Sequence, residues 1–124
     1  MKRFKRKKLN IDIIVGARPN LVKVASLFNE IKKNKKKFGM YVFRLIHTGQ
    51  HYDSMLSDSF FNELNIPKPD YNLGVGSGTH IYQTAHIMLK YEKIIIDNPP
   101  DVCVVVGDVN STIACSLAAK KKGI

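Results

Sequence analysis

Arg18 and Lys23 are two cationic side chains near the start of a polar segment that follows an apolar run. Arg18 precedes Pro19, a residue suited to the first turn of a helix, and Lys23 lies five residues further along. Two cations beside a helix N-terminus, whose N–H groups are electropositive, suit an anion such as a phosphate. An exposed arginine and lysine on a basic protein would show the same spacing, so both interpretations stay open.

Asp108 follows Gly107 and the most apolar segment of the chain, residues 102–106. Its carboxylate could cap the helix that starts there. It could also be catalytic and be kept ionised by that helix N-terminus. Three neighbouring residues offer alternative caps, namely Asn110, Ser111 and Thr112. The sequence pattern does not choose between the two roles.

Other motifs of catalysis and cofactor binding are missing from the sequence. The four histidines, at positions 47, 51, 80 and 86, do not have the spacing of metal ligands. The glycine-rich segment 74–78 reads G-x-G-x-G and lacks the dinucleotide spacing G-x-G-x-x-G. We therefore expect no metal and no cofactor, and we interpret residues 74–79 as a mobile loop.

The hydrophobic pattern alternates between strand and helix periodicity along the chain. It predicts strands at residues 11–16, Tyr41–His47, 71–73 and 102–106. It predicts helices at residues 19–33, from Asp53 or Ser54 past Leu64, from Ser77 or Thr79 to Ile96, and over 111–122. In the third helix we expect five residues to face the core: Ile81, Ala85, Met88, Leu89 and Ile95. This order predicts an α/β fold, a Rossmann-like parallel sheet with flanking helices.

Ligands of such sheets bind at the carboxyl ends of the strands. That rule selects four segments, defined here as the first loop (residues 16–20), the second loop (48–53), the glycine loop (74–79) and the fourth loop (107–112). Each is rich in glycine and polar residues. We expect the functional site where these loops meet.

Composition and charge limit the remaining possibilities. The chain has 124 residues, of which 44% are hydrophobic, so it can bury a core. Its net charge of +10 comes largely from lysine clusters in a basic tail (residues 1–10) and near two helix ends. No nucleic-acid motif accompanies them, and no segment predicts a membrane span or a signal peptide. Two cysteines suggest core residues of a cytoplasmic protein.

Three of the loops together resemble a known family. Residues 16–23, G-A-R-P-N-L-V-K, resemble its opening motif G-[TA]-R-P-x-x-x-K. Residues 48–53, T-G-Q-H-Y-D, resemble its second loop, and residues 107–112, G-D-V-N-S-T, its motif G-D-x-x-[ST]-T. The family is that of the non-hydrolysing UDP-N-acetylglucosamine 2-epimerases, with relatives that act on other UDP-N-acetyl sugars.

The resemblance implies an architecture and a reaction. Residues 11–124 would be an incomplete N-terminal domain of a two-domain, GT-B-type enzyme. That enzyme interconverts UDP-N-acetylglucosamine and UDP-N-acetylmannosamine by eliminating UDP and adding it back with inversion at C2, without a cofactor. The expected partners are a UDP-N-acetyl sugar and a homodimer mate or a complementing C-terminal half. The chain alone is expected to be inactive.

The resemblance also assigns roles to residues. Arg18 and Lys23 would contact the substrate or stabilise the departing UDP, and Asp108 would be a catalytic carboxylate. Gln50 and His51 would lie near an allosteric activator. Three alternatives stay open at this point: a non-enzymatic basic binding module, a fragment of a GT-B glycosyltransferase and a fragment of a related UDP-sugar epimerase.

Overall fold

The computed structural model describes residues 7–50 and 58–124. Strands and helices alternate through this part of the chain. In chain order they are β1 (Leu9–Val15), α1 (Arg18–Lys33), β2 (Tyr41–His47), α2 (Asp58–Glu63), β3 (Tyr71–Asn72), α3 (His80–Asp97), β4 (Val102–Val104) and α4 (Asn110–Lys121).

The four strands form one parallel sheet in the order β3-β2-β1-β4. Apolar side chains alternate between its faces, as strand geometry requires. Ile13 and Val15 pack with residues of α1 and α2, whereas Ile14 packs with residues of α3 and α4. The predicted Rossmann-like parallel sheet with flanking helices is thereby confirmed.

Most predicted boundaries agree with the structure within two residues. β1 begins at Leu9, so the last two residues of the predicted tail belong to the sheet. Thr79 is the N-cap of α3, and its hydroxyl accepts a hydrogen bond from the N–H of Tyr82. The caps proposed for the second helix, Asp53 and Ser54, lie outside the described residues.

The predicted inward face of α3 is largely wrong. Ile95 is buried and Met88 is partly buried, but Ala85 is exposed, Ile81 is 78% exposed and Leu89 is 58% exposed. The helix has two apolar stripes, and the one that faces the core consists of Gln83, Ile87, Tyr91, Ile94 and Ile95. That stripe contains a glutamine and a tyrosine whose polar atoms are hydrogen-bonded internally, which hydrophobic periodicity does not reveal.

Residues 102–106 are covered on both faces as predicted, since Cys103 and Val105 pack with the α3–α4 side and Val104 and Val106 with the α1–α2 side, but the prediction of a central strand is wrong. β4 ends at Val104, and Val102 is exposed. Within the described residues β4 pairs with β1 alone, so its second edge and part of its surface stay open.

A buried ion pair joins β1 to β2. Arg44 donates from Nε to Asp12 Oδ1 at 2.6 Å and from Nη2 to Asp12 Oδ2 at 2.9 Å. The hydroxyl of Tyr91 donates to Asp12 Oδ2 at 2.8 Å, and Arg44 also donates to the carbonyl oxygen of Asn98 at 2.9 Å. Burial raises the pKa of the Tyr91 hydroxyl, so it stays a donor. This network fixes α3 against the sheet.

Candidate functional site

The sheet topology brings the four loops to one edge, because the carboxyl ends of parallel strands point the same way. Backbone hydrogen bonds join adjacent loops there. The N–H of Val75 donates to Thr48 O at 3.0 Å, and the N–H of Gly76 donates to Gly49 O at 2.6 Å. The glycine loop therefore lies directly on the described part of the second loop.

Asn20 connects the first loop to the end of β4. Its Oδ1 accepts from the N–H groups of Gly16 and Ala17, both at 3.0 Å, and its Nδ2 donates to Val106 O at 3.3 Å. The side chain is 2% exposed. Asn20 is the third residue of α1, so its side chain satisfies the N–H groups of the N-cap residue Ala17 and of Gly16, which both precede the helix.

The hydrogen bond between Asn20 and Val106 brings the side chain of Lys23 close to the fourth loop. Gly107 has φ +76°, and a Cβ built on it would lie 3.8 Å from Lys23 Nζ and 3.1 Å from Asn20 Nδ2. The ammonium group of Lys23 thus lies beside the backbone that precedes Asp108. Both Lys23 and Asp108 are exposed to solvent and are available to a ligand.

Arg18 is exposed at the first turn of α1, with its guanidinium 5.0 Å from the ring centroid of Phe60 in α2. This cation–π contact orients the side chain while it leaves the charge near solvent. Arg18 thus lies in the first turn of α1, and Lys23 lies in the second turn.

The N-terminus of α4 is capped from a distance. Its N-cap residue, Val109, has no capping side chain, and Gln50 Oε1 accepts from Ser111 N–H at 3.1 Å and from Ser111 Oγ at 2.8 Å. The Thr48 hydroxyl donates to Ser111 Oγ at 2.8 Å. Helix capping thus does not occupy Asp108, and among the described residues its carboxylate has no hydrogen bond or ion pair.

Gly16 allows this close packing. A Cβ at this position would collide with the Ser111 hydroxyl and would lie 3.0 Å from Gln50 Oε1. The first, second and fourth loops therefore come together only because residue 16 has no side chain.

The predicted site residues thus divide into groups. Arg18 lies on the first loop, Asp108 on the fourth loop and Lys23 on the adjoining helix α1. Asn20 holds these elements together. Gln50 is 4% exposed and makes contacts within the protein, and His51 lies outside the described residues. The sequence interpretation missed Asn20 and Gln83. Hydrophobic periodicity does not single out Gln83, because the stripe that carries it is recognised as the buried one only with α4 and the sheet in place.

Residues 7–50 and 58–124 contain no cluster of three or more histidine, cysteine, aspartate or glutamate residues placed to hold a metal ion. No helix in the same ranges has the length and hydropathy needed to cross a membrane.

Comparison with known proteins identifies the family. A family model described as UDP-N-acetylglucosamine 2-epimerase matches residues 31–124. The chain belongs to this family. A UDP-N-acetylglucosamine 2-epimerase homolog of Methanococcus maripaludis is 45% identical over 94% of the chain. A UDP-2,3-diacetamido-2,3-dideoxy-D-glucuronate 2-epimerase of Pseudomonas aeruginosa is 38% identical over 91%.

Solved structures of the family show the same arrangement of elements. The Methanocaldococcus jannaschii epimerase, crystallised with UDP-GlcNAc and UDP, superposes with a TM-score of 0.82 and 40% identity over 94% of this chain. The Neisseria meningitidis epimerase bound to UDP-GlcNAc gives 0.79 and 27% identity. The chain spans 31% of the Methanococcus relative and 31% of the M. jannaschii structure.

Proposed function

We propose that this chain forms one wall of a UDP-N-acetyl sugar site in a non-hydrolysing UDP-N-acetylglucosamine 2-epimerase of GT-B-type, two-domain architecture. The observation that carries the proposal is the position of Lys23 Nζ beside Gly107, because it places a cation next to the loop that bears Asp108. Membership of the family and structural relatives that bind UDP-GlcNAc and UDP support the substrate class.

In the proposed reaction the C2–H bond and the C1–O bond to UDP break while a C1=C2 double bond forms. UDP then adds back at C1, and a proton returns to C2 on the opposite face. These steps conserve oxidation state, so the reaction requires no redox cofactor. Arg18 and Lys23 stabilise the negative charge of the departing UDP, and Asp108 is a catalytic carboxylate at the sugar.

Gln50 and His51 are assigned to an activator region near the same cleft. The side chain of Gln50 would act through the loops that it joins, because its oxygen already accepts two hydrogen bonds from Ser111. A ligand in this region would contact the loops that Gln50 joins. If the activator binds there, a second equivalent of UDP-N-acetylglucosamine is expected to change the conformation of the second loop.

The first test is binding. The ¹⁵N-labelled chain is titrated with UDP and, as a matched control, with uridine, which has the same base and sugar but no phosphate. UDP is expected to shift the amide signals of Lys23, Gly107 and Asp108, whereas uridine is expected to leave them nearly unchanged. Unchanged signals at saturating UDP would contradict the proposal.

The proposed macromolecular partner is a polypeptide that supplies the remaining length of the family. The relatives are about three times longer than the chain, since it spans 31% of them. Within the described residues, the second edge of β4 has no partner strand, and Ile113 and Leu117 of α4 are exposed. These features fit the next strand and helix of a larger α/β domain.

The second test is complementation. The chain is mixed with a polypeptide that contains the rest of the M. jannaschii epimerase, and the sugar anomeric signals of UDP-N-acetylglucosamine are followed by NMR. Turnover is expected from the mixture and not from the chain alone. Turnover by the chain alone would refute its proposed inactivity, and a stable homodimer in sedimentation that excludes the second polypeptide would refute the complementing partner.

A further inference from the structure

Gln83 is a polar residue on the buried stripe of α3, with 5% of its surface exposed. Its Nε2 donates to Gln50 O at 2.6 Å and to Gly76 O at 2.9 Å. Its Oε1 accepts from Asn110 Nδ2 at 2.9 Å. One side chain therefore binds the second loop, the glycine loop and the fourth loop.

These contacts matter most for the glycine loop. Gly74 and Gly76 have positive φ angles of 58° and 75°, a region in which glycine is not sterically restricted. No described side chain other than Gln83 is hydrogen-bonded to Gly76. Gln83 and the backbone bonds to Thr48 and Gly49 together fix where this loop lies.

The contact with Asn110 reaches the proposed catalytic group. Asn110 is the first residue of α4 and lies two residues after Asp108. Asn20 binds the other end of the same turn through Val106 O. The turn that carries Asp108 is thus held from both ends by buried amide side chains.

We infer that Gln83 is a positioning residue of the UDP-sugar site, which fixes the glycine loop and the Asp108 turn against the second loop. This inference rests on the proposed function. A glutamine side chain is suited to the task because it offers two N–H donors and an oxygen acceptor at once. A leucine side chain has neither donors nor an acceptor, and an ionised glutamate has only acceptors.

The test uses two variants and a matched control. Gln83→Leu removes all three hydrogen bonds, and Gln83→Glu retains only the acceptor at neutral pH. Thr84→Val on the same helix is the control, because the Thr84 hydroxyl donates only within α3, to His80 O. Amide hydrogen exchange is measured at Val75, Gly76 and Ser111, with Ile14 and Ile46 in the sheet as internal references.

In Gln83→Leu, the loop amides are expected to exchange at least tenfold faster relative to the sheet, and the UDP affinity to fall at least fivefold. Thr84→Val is expected to change neither. Gln83→Glu should resemble Gln83→Leu at neutral pH. It should partly recover native amide chemical shifts in the loops at acidic pH, because a protonated carboxyl can donate one hydrogen bond.

Unchanged loop exchange in Gln83→Leu, or an equal change in Thr84→Val, would overturn the inference. Faster loop exchange with unchanged UDP affinity would also overturn it, since Gln83 would then serve folding alone. Failure of the unmodified chain to bind UDP would instead contradict the proposed function. The exchange data would in that case still show whether Gln83 fixes the loops.

Discussion

Gln50 and Ser111 are separated by 61 residues, yet the side-chain oxygen of Gln50 accepts hydrogen bonds from both the N–H and the hydroxyl of Ser111. The loop after β2 thereby caps α4, the helix that follows β4. Helix N-termini have N–H groups without intrahelical partners, and a buried terminus requires such acceptors. This relationship connects folding of the second loop to formation of α4.

Replacement of Gln50 by leucine should destabilise the chain by about 1–3 kcal/mol, since two buried donors of Ser111 would lose their acceptor. Urea unfolding followed by circular dichroism measures this change. Ser116→Ala, an exposed position on the same helix, is the control and should be nearly neutral. Equal midpoints for the two variants would show that Gln50 does not cap α4.

The cations at the start of α1 should affect ligand binding rather than stability. Lys23→Gln is expected to weaken UDP binding by about tenfold, because one charge-assisted contact to phosphate is worth about 1–2 kcal/mol. Exposed Lys33 lies in the last turn of the same helix, so Lys33→Gln is the matched control. Similar losses of affinity in both variants would indicate a response to net charge, which raising the salt concentration would reduce.

His47 should make stability depend on pH. Burial lowers its pKa from the usual 6.5, and its Nε2 has no hydrogen-bond partner among the described residues. The unfolded chain therefore binds a proton more readily than the folded chain. The free energy of unfolding therefore has its full value above about pH 6.5, and it decreases as the pH falls from there towards the lowered pKa of His47.

Unfolding by urea at pH 7.5, 6.5 and 5.5 tests this dependence. In His47→Gln the decrease on acidification should be smaller than in the unmodified chain. His86→Gln removes a less buried imidazole and serves as the control. An unaltered pH dependence in His47→Gln would contradict the assignment.

The ion pair between Asp12 and Arg44 should be strongly non-additive. Arg44→Met leaves a buried carboxylate without its cation, which costs about 3–5 kcal/mol. The double variant Asp12→Leu with Arg44→Met removes both charges and should be more stable than Arg44→Met alone. Urea unfolding of the single and double variants measures the coupling, and additive losses would show that the two side chains act independently. If Arg44→Met does not fold, a folded double variant would likewise show that the two side chains are coupled.

The predicted elements that agree with the structure share one property. In α1 and β2 the signal lies in residues close together in the chain: Pro19 at the first turn, helical spacing of apolar residues, and a β-branched and aromatic run over Tyr41–His47. The prediction failed for the inward face of α3, because its two apolar stripes cannot be ranked without the neighbouring α4 and sheet. It failed for β4 because an apolar run does not reveal how many strands pair with it.

The sequence by itself determined the alternation of strands and helices, the four loops and the chemical types within them, including Arg18, Lys23 and Asp108. Those features depend on contacts within about one helical turn or one loop, which residue spacing records. The tertiary structure alone decided that Asn20, Gln50 and Gln83 join these loops, and that Arg44 pairs with Asp12. Those contacts depend on strand order and register, which bring together residues up to 86 positions apart.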